Sequence, residues 1–470
     1  MAGPDRRVRP AVTSGPGWCP NRTAEDRRAK YDQADLAGGS LRVPAVGHQT
    51  QGPLVRTLSG MTSSQTPVTT RLAGHGLWRA VASASHLLAD DGSVAPTIFA
   101  EMSARAQETG SINLGQGFPD TDGPQSLLDD AVAAILGGAN QYPPGRGTPE
   151  LRRAIADHQR RFYGIELDPD TQVLVTVGAT EGIAASILAV CQPGDEVVML
   201  EPFFDSYAAA ITLAGAVRRT VPLQFPDYRL DPEVLAAAFG PRTRAVLLNS
   251  PHNPTGRVLT RSELDAVARL AVEHDALVIT DEVYEHLIFD GLEHVPLSTL
   301  PGMAERTLSV SSAGKTFSVT GWKIGWVTGP AELVTAVTTV KQFLSYVSGG
   351  PLQPAVAKAL ALPDPTYRRL ASRLQAARDV LTQGLVDAGF AVAPTSGTYF
   401  VVADAAPLGY PDGLELCRRL PDLAGVVAIP LHVFYDQPDD AGSLVRFDFC
   451  KRPEVLAEAV LRLKRLAQTG

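Results

Sequence analysis

Two lysines stand eight residues apart in a segment of small residues near the middle of the chain. Lys315 and Lys323 lie within residues 311–326, which read SSAGKTFSVTGWKIGW. A lysine removed from water can lose its proton and attack a carbonyl group, whereas an arginine stays charged. The pattern therefore favours a site in which one amine reacts with an aldehyde and a second cation holds a phosphate. A solvated turn is the plainer alternative for the same residues.

Two apolar runs predict buried strands that end in polar residues. Residues 245–248 (AVLL) lead into an Asn/Pro/Gly turn that contains Asn253, and residues 276–279 (ALVI) lead to Asp281, with Tyr284 three positions later. Ligands of open parallel sheets bind beyond the carboxyl ends of the strands, so these side chains are expected to converge. The alternatives are an ordinary strand-to-helix turn around Asn253 and a helix N-cap at Asp281.

A glycine-bearing turn at residues 176–182 (TVGATEG) predicts a junction between a strand and a helix. The backbone amides of Ala179 and Thr180 would then lie at the helix N-terminus. Such amides point at an anion, and the helix dipole favours negative charge at this end. The turn is thus a candidate phosphate site.

The order and spacing of these segments resemble the cofactor-binding motifs of fold-type I aminotransferases of class I/II, which use pyridoxal 5′-phosphate (PLP). The resemblance covers residues 97–468. It implies a catalytic set in which Lys315 forms the Schiff base, Asp281 pairs with the pyridine nitrogen and Tyr284 hydrogen-bonds the phenolic oxygen. Asn253 is implied as a second partner of that oxygen.

Other positions match the family's cofactor-binding residues. The phosphate would be held by the amides of Ala179 and Thr180, together with groups that the resemblance assigns to Ser312 and Lys323. Phe204 matches the aromatic residue that stacks on the ring, with Phe203 as its rival. Tyr142, in NQYPPG, matches a tyrosine that reaches the neighbouring subunit's phosphate, which implies a homodimer with shared active sites.

Substrate recognition is expected at Arg446, within the alternating strand LVRFDFC. A cross-strand ion pair on a solvated face is the ordinary interpretation of this pattern. The resemblance instead places Arg446 where the family binds the substrate α-carboxylate, a task suited to the planar, bidentate guanidinium. It also implies substrate contacts from Asn253 and from Gly117, whose segment reads NLGQGFPD.

Within the family, two groups compete. Strings such as SPHNPTG and KQFLSYV are most similar to actinobacterial N-succinyldiaminopimelate aminotransferases, which implies amino transfer from N-succinyl-LL-2,6-diaminopimelate to 2-oxoglutarate in lysine biosynthesis. The strings VVAIP and NLGQGFPD are shared with kynurenine aminotransferases and cysteine-S-conjugate β-lyases. Alternatives are therefore transfer from kynurenine, methionine or glutamine, or β-elimination. A PLP-binding transcription regulator is more remote, because residues 1–90 lack helix-turn-helix periodicity.

The resemblance implies an α/β fold with a mostly parallel central sheet in a large domain and a smaller α/β domain. We assign residues 140–363 to the large PLP-binding domain and residues 97–139 and 364–470 to the small one. Residues 1–90 are rich in Gly, Pro, Ser, Thr and Arg and are expected to be disordered. Met61 is an alternative start of the protein.

Composition excludes several classes of function. A net charge of −8 over 470 residues gives no nucleic-acid or membrane footprint, and no apolar stretch is long enough to span a bilayer. The four cysteines show neither CxxC nor metal-ligand spacing, so no metal is predicted and a reducing cytoplasm is expected. Cys191 and Cys450 are predicted to be buried thiols.

Overall fold

The computed structural model describes residues 76–89 and 91–466. The predictions for residues 1–75, including the alternative start at Met61, lie outside this range. Residues 1–90 were predicted to be disordered. This prediction is wrong for the last part of the segment, because Leu77–Ala84 form a helix. This helix buries Ala82 and packs against the helix Ser206–Leu213. Eight residues are too few for a helix to persist alone in water, so packing accounts for its stability.

The helices and strands alternate along most of the chain. The helices are α1 Leu77–Ala84, α2 Ile98–Thr109, α3 Gln125–Leu136, α4 Pro149–Tyr163, α5 Gly178–Val190, α6 Ser206–Leu213, α7 Pro232–Ala238, α8 Arg261–Glu273, α9 Ala313–Thr316, α10 Ala331–Lys341, α11 Gln353–Leu360, α12 Asp364–Asp387, α13 Gly413–Ala424 and α14 Pro453–Leu463. The strands are β1 Ile112–Asn113, β2 Val173–Val177, β3 Glu196–Glu201, β4 Val217–Pro222, β5 Thr243–Asn249, β6 Leu277–Asp281, β7 Thr307–Ser312, β8 Ile324–Thr328, β9 Ala391–Val392, β10 Phe400–Asp404, β11 Val426–Val427, β12 Ile429–Pro430 and β13 Leu444–Asp448.

A seven-stranded sheet with the order β2-β8-β7-β6-β5-β3-β4 forms the centre of the fold. Its strands pair in parallel from β7 to β4, and only β8 runs antiparallel to both of its neighbours. Strands β3, β7 and β8 are buried along their whole length, as expected for strands of a sheet covered by helices on both faces. The predicted mostly parallel α/β architecture is confirmed.

The reversed direction of β8 determines which residues meet at one edge of the sheet. Since β8 is antiparallel, its start lies at the same edge as the ends of β2 and β7, and Ile324 pairs with Val177. Lys323, just before β8, therefore lies beside Gly178, just after β2. At this junction Gly325 has no room for a side chain, because a Cβ atom there would lie 2.5 Å from the Gly178 carbonyl carbon.

A four-stranded antiparallel sheet, β12-β13-β10-β9, carries Arg446 on its strand β13. Every residue of β13 is buried, so the interpretation of Arg446 and Asp448 as a solvated face is wrong. Residues 426–430 form two short strands, interrupted at Ala428. β11 pairs with β1, whereas β12 pairs with β13, so the chain passes from one sheet to another at Ala428.

Three cysteines fall within the described residues, and all are buried free thiols, as predicted for Cys191 and Cys450. Among the same residues, no helix combines the length and the apolarity that crossing a bilayer requires.

The contact between Gly325 and Gly178 leads to a stability prediction. Gly325→Ala should lower the free energy of unfolding by about 1–3 kcal/mol, because the new methyl group must push the α5 turn away from β8. Gly321→Ala is the matched control, since a Cβ atom at Gly321 meets nothing within 4 Å. Chemical denaturation of both variants measures the difference. Equal stabilities would show that the junction is not tightly packed.

Candidate active site

A cavity of about 410 Å³ lies at the edge of the central sheet where β2, β5, β6 and β7 end. All but one of the residues predicted from the sequence to bind cofactor or substrate line this cavity. They are Gly117, Ala179, Thr180, Phe204, Asn253, Asp281, Tyr284, Ser312, Lys315, Lys323 and Arg446.

Lys315 lies on the short helix α9, directly after β7. Its Nζ donates a hydrogen bond of 2.7 Å to the hydroxyl of Tyr399, which in turn donates to the Gly117 carbonyl at 2.6 Å. Burial lowers the pKa of the Lys315 amine to about 8, although nearby carboxylates such as Asp281 act in the opposite direction. A substantial fraction of this amine is therefore neutral near physiological pH and can act as a nucleophile or base.

Asp281 ends β6 and is buried beneath the cavity. One carboxylate oxygen accepts a 2.6 Å hydrogen bond from the Tyr207 hydroxyl, and the other accepts from the Val283 amide. Burial raises the pKa of this carboxyl group, while the bond from Tyr207 counteracts the rise. Asn249 fixes the strand end from the neighbouring strand, since its side-chain amide donates to the Asp281 carbonyl at 2.8 Å. A cationic ligand group at the cavity floor would stabilise the charged form of Asp281.

The other end of the cavity is suited to an anion. Helix α5 begins at Gly178, and no side chain caps its first turn. Lys323 reaches the same turn, with Nζ 3.5 Å from the Thr180 hydroxyl. Lys323 itself adopts the left-handed conformation (φ 53°), which is uncommon for a residue with a side chain and is often found at functional sites. Amides of a helix N-terminus and an ammonium group are together suited to bind a phosphate.

Aromatic residues border the space between these two ends. Phe204 lines the cavity, whereas Phe203 is buried in the core and does not. The geometry thus favours Phe204 over its rival as the residue that faces a ligand. Tyr284 is a buried residue of the same wall and packs edge-to-face on Tyr399, with ring centroids 5.3 Å apart. Burial raises the pKa of the Tyr284 hydroxyl, which therefore keeps its proton and can donate it in a hydrogen bond.

Arg446 is buried, and no carboxylate of a described residue pairs with it. Its Nη1 donates to the Asn253 side chain at 2.9 Å and its Nη2 to the Gly115 carbonyl at 3.3 Å, while Nε has no partner. The guanidinium carbon lies 3.9 Å from the centre of the Phe400 ring. Burial lowers the pKa of Arg446 to about 10, which leaves the group charged at neutral pH. A buried cation held only by neutral groups is a receptor for a carboxylate.

Side chains bind four consecutive backbone carbonyl groups of the loop formed by residues 115–118. Arg446 binds the carbonyl of residue 115, Lys451 those of residues 116 and 118, and Tyr399 that of residue 117. Lys451 also pairs with the buried Asp448 at 3.0 Å. At Gly117 a Cβ atom would lie 2.4 Å from the Phe400 ring, so only glycine lets the loop approach this closely.

Several residues of the site were not predicted. Tyr207, Asn249, Phe400 and Tyr399 contact predicted residues, yet each lies on a different element from its partner. Asn249 could have been predicted from the sequence, because it ends an apolar strand in the same way as Asp281. Tyr207 and Tyr399 are 74 and 84 residues away from the groups they bind. No local pattern reveals such a distant contact.

Tyr142 is the one predicted site residue outside this cavity. Its side chain is 81% exposed and packs on Tyr346, with ring centroids 5.7 Å apart. A role for Tyr142 in its own subunit's cavity is therefore not supported by the position it occupies.

A separate polar cluster is formed by three residues that do not line this cavity. The ligand atoms of His158, Glu285 and His286 lie within 4.8 Å of one another. The two imidazoles share a 2.7 Å hydrogen bond through their Nε2 atoms, and burial lowers the pKa of both, so they are neutral. This imidazole–imidazole bond accounts for the closeness of the two rings.

The fold and the site define a transferase of amino groups. The chain belongs to the aminotransferase class I and II family, whose model matches residues 109–463. It is 55% identical to a probable N-succinyldiaminopimelate aminotransferase of Mycobacterium tuberculosis, over 80% of this chain and 97% of that protein. A solved structure of N-succinyldiaminopimelate aminotransferase from the same species, also 55% identical, matches with a TM-score of 0.77 over 79% of this chain and 97% of that chain.

Two further relatives are more distant. A methionine aminotransferase of Escherichia coli is 40% identical over 79% of this chain and 96% of that protein. Kynurenine–oxoglutarate transaminase 3 of Mus musculus is 37% identical over 78% of this chain and 87% of that protein. The protein is therefore an aminotransferase, as the sequence motifs indicated, and both groups recognised in the sequence are among its relatives.

The buried pair of Lys451 and Asp448 gives a testable prediction. Lys451→Met should lower the free energy of unfolding by about 3–5 kcal/mol, because it leaves the Asp448 carboxylate buried without its cation. It should also raise the KM for amino donors more than it lowers kcat, since the loop at Gly117 loses two of its four carbonyl contacts.

Arg160→Met is the control for this variant, because it removes an ion pair of the same i,i+3 spacing that is exposed to solvent. Its unfolding free energy should hardly change. Chemical denaturation and steady-state kinetics measure both quantities. A Lys451→Met protein as stable as the control would show that the buried pair does not hold the loop.

Proposed function

We propose that this aminotransferase uses PLP and transfers the amino group of N-succinyl-LL-2,6-diaminopimelate to 2-oxoglutarate. One observation carries the cofactor proposal. A partly buried amine of lowered pKa, a buried carboxylate and an uncapped helix N-terminus with its own lysine line a single cavity. These three groups match an aldehyde, a ring nitrogen that can carry a proton and a phosphate, which PLP combines in one molecule.

The residues suited to each part of the cofactor follow from their positions. The amides of Ala179 and Thr180, with Lys323, would hold the phosphate. The Ser312 hydroxyl lies at the same cavity edge and would join them. Asp281, kept in place by Tyr207 and Asn249, would pair with the ring nitrogen, and Phe204 would cover one ring face. Tyr284 and Asn253 would donate hydrogen bonds to the phenolic oxygen.

When bound, PLP supplies an aldehyde for amines and a sink for the electrons of the substrate's Cα–H bond. The chain itself supplies orientation and proton transfer. Arg446 would bind the substrate α-carboxylate through both of its terminal nitrogens, with Asn253 and the loop at Gly117 fixing its direction. The Nζ atom of Lys315 would remove the proton from the α-carbon, for which its pKa of about 8 is well matched. Burial excludes water that would compete for that proton.

The choice of amino donor rests on the relative that is 55% identical and is described as a probable N-succinyldiaminopimelate aminotransferase. The relatives that are described as acting on methionine and kynurenine are 40% and 37% identical. Glutamate and 2-oxoglutarate are the proposed second pair of substrates. The same Arg446 would bind the α-carboxylate of each substrate in turn.

We also infer a homodimer with shared active sites. Tyr142 and Phe343 are 81% and 86% exposed, and Leu344 and Tyr346 beside them are also exposed. A group of large apolar side chains is costly in water and is typical of an interface. A second copy covering this face would bring Tyr142 toward the phosphate of its neighbour. The free, buried thiols of the described cysteines support a reducing, cytoplasmic setting.

A survey of amino donors tests the proposed function. With 2-oxoglutarate as acceptor, kcat/KM should be highest for N-succinyl-LL-2,6-diaminopimelate among that compound, kynurenine, methionine and glutamine. Release of pyruvate from a cysteine conjugate should be slow by comparison. A clear preference for kynurenine, methionine or glutamine would contradict the proposed donor and leave the cofactor proposal intact.

A further inference from the structure

A second cavity, of about 180 Å³, adjoins the first. Phe99 and Asp205 line both cavities. Phe99 lies between them: its ring centre is 5.6 Å from the Arg446 guanidinium carbon, and it packs edge-to-face on Phe434 at 6.1 Å. A substrate whose α-carboxylate is bound by Arg446 would therefore direct a long side chain toward this second space.

The wall of the second cavity offers polar groups on three sides. Arg418 comes from helix α13, His432 from the turn after β12 and His86 from the segment after α1. His432 has a buried Nδ1 atom with no hydrogen-bond partner among the residues that the structure describes. His86 uses Nε2 to donate to the Tyr435 carbonyl at 2.8 Å, which leaves its other nitrogen available.

Arg418 can turn to a ligand at low cost. It pairs with Glu101 at 2.9 Å, but the two side chains are 55% and 40% exposed. An exposed pair of this kind contributes little to stability, so exchanging Glu101 for a ligand carboxylate is nearly neutral for the fold. The carboxylate then gains a guanidinium donor from a residue that lines the cavity.

Asp205 places a carboxylate, which is a hydrogen-bond acceptor, where the two cavities meet. It precedes helix α6. Burial raises the pKa of its carboxyl group, while the adjacent Ser206 amide and the charge of Arg446 act in the opposite direction and favour the carboxylate. A bare anion would be repelled at this point, whereas an N–H group would be bound. The wall therefore suits a ligand that presents an amide N–H at the junction and a carboxylate further in.

Building on the proposed function, we propose that the second cavity binds the distal acylamino-carboxylate end of the amino donor. Asp205 accepts the amide N–H, while Arg418 and His432 donate to the distal carboxylates. The cavity is then the part of the enzyme that distinguishes a long N-acylated donor from a short amino acid.

Two measurements on the holoenzyme test this proposal. The first compares kcat/KM for N-succinyl-LL-2,6-diaminopimelate with kcat/KM for L-2-aminobutyrate, which has no distal polar group. Arg418→Met and His432→Gln should each lower the ratio of the two values roughly tenfold to a hundredfold, as expected for a lost hydrogen bond to a charged group. The second is calorimetric titration with N-succinyl-L-alanine, which carries the distal groups but no amine. Arg418→Met should weaken its binding by a similar factor.

Arg419→Met is the matched control. Arg419 is the next residue of α13, and its own pair with Glu415 has the same 2.9 Å length and similar exposure, but it does not line the cavity. This variant should preserve both the ratio and the binding of N-succinyl-L-alanine. The proposal is overturned if Arg418→Met lowers kcat/KM equally for both donors, or if it changes neither the ratio nor the binding.

The outcomes also separate this proposal from the proposed function. If the wild-type enzyme does not use N-succinyl-LL-2,6-diaminopimelate as its preferred donor but binds N-succinyl-L-alanine in a manner dependent on Arg418, the donor assignment fails and the cavity assignment stands. If the donor is used efficiently and the Arg418 and His432 variants behave like Arg419→Met, only the cavity assignment fails.

Discussion

The burial of unpaired charge at one edge of the central sheet is the constraint on which the rest of the structure depends. Asp281 and Arg446 are buried and Lys315 is partly buried, and none of the three forms an ion pair with another described residue. Desolvation moves each pKa toward the neutral form. Such groups are destabilising unless a ligand of complementary charge or a dense set of hydrogen bonds compensates. The surrounding tyrosines, asparagines and backbone carbonyls provide the hydrogen bonds, and the substrate and cofactor would provide the charge.

The topology of the sheet makes this concentration of charge possible. Parallel strands β5, β6 and β7 deliver Asn249, Asp281 and Ser312 to one edge. The single antiparallel strand, β8, returns Lys323 to the same edge, beside the start of α5. The second sheet supplies Arg446 from β13, and the loop held by Lys451 joins the wall between the two sheets. Each functional group thus lies on or next to a strand or helix that is packed in the fold, and this packing fixes the position of the group.

Much of this site could be predicted from the sequence, for a physical reason. Asp281 and the turn with Asn253 come after apolar strands, and the ends of parallel strands meet, so local patterns were enough to predict that these two converge. Lys315 was identified by its residue type, by the small residues around it and by the resemblance of its segment to the family's motif. Tyr399 and Tyr207 could not be found in this way, because their contacts join elements far apart in the chain. Helix α1 was missed because its stability comes from packing on α6. The division of residues 426–430 between two sheets likewise depends on tertiary pairing that the run VVAIP does not encode.

Localising the cofactor on the chain tests the central claim most directly. The purified protein should absorb visible light after incubation with PLP, and borohydride reduction followed by peptide mass spectrometry should find the cofactor attached to Lys315. Lys315→Ala should lose the covalent label, whereas Lys323→Ala should keep it on Lys315 but require more PLP, because it removes only a phosphate contact. Recovery of the label on Lys323, or the absence of any label on the wild-type protein, would contradict this account of the site.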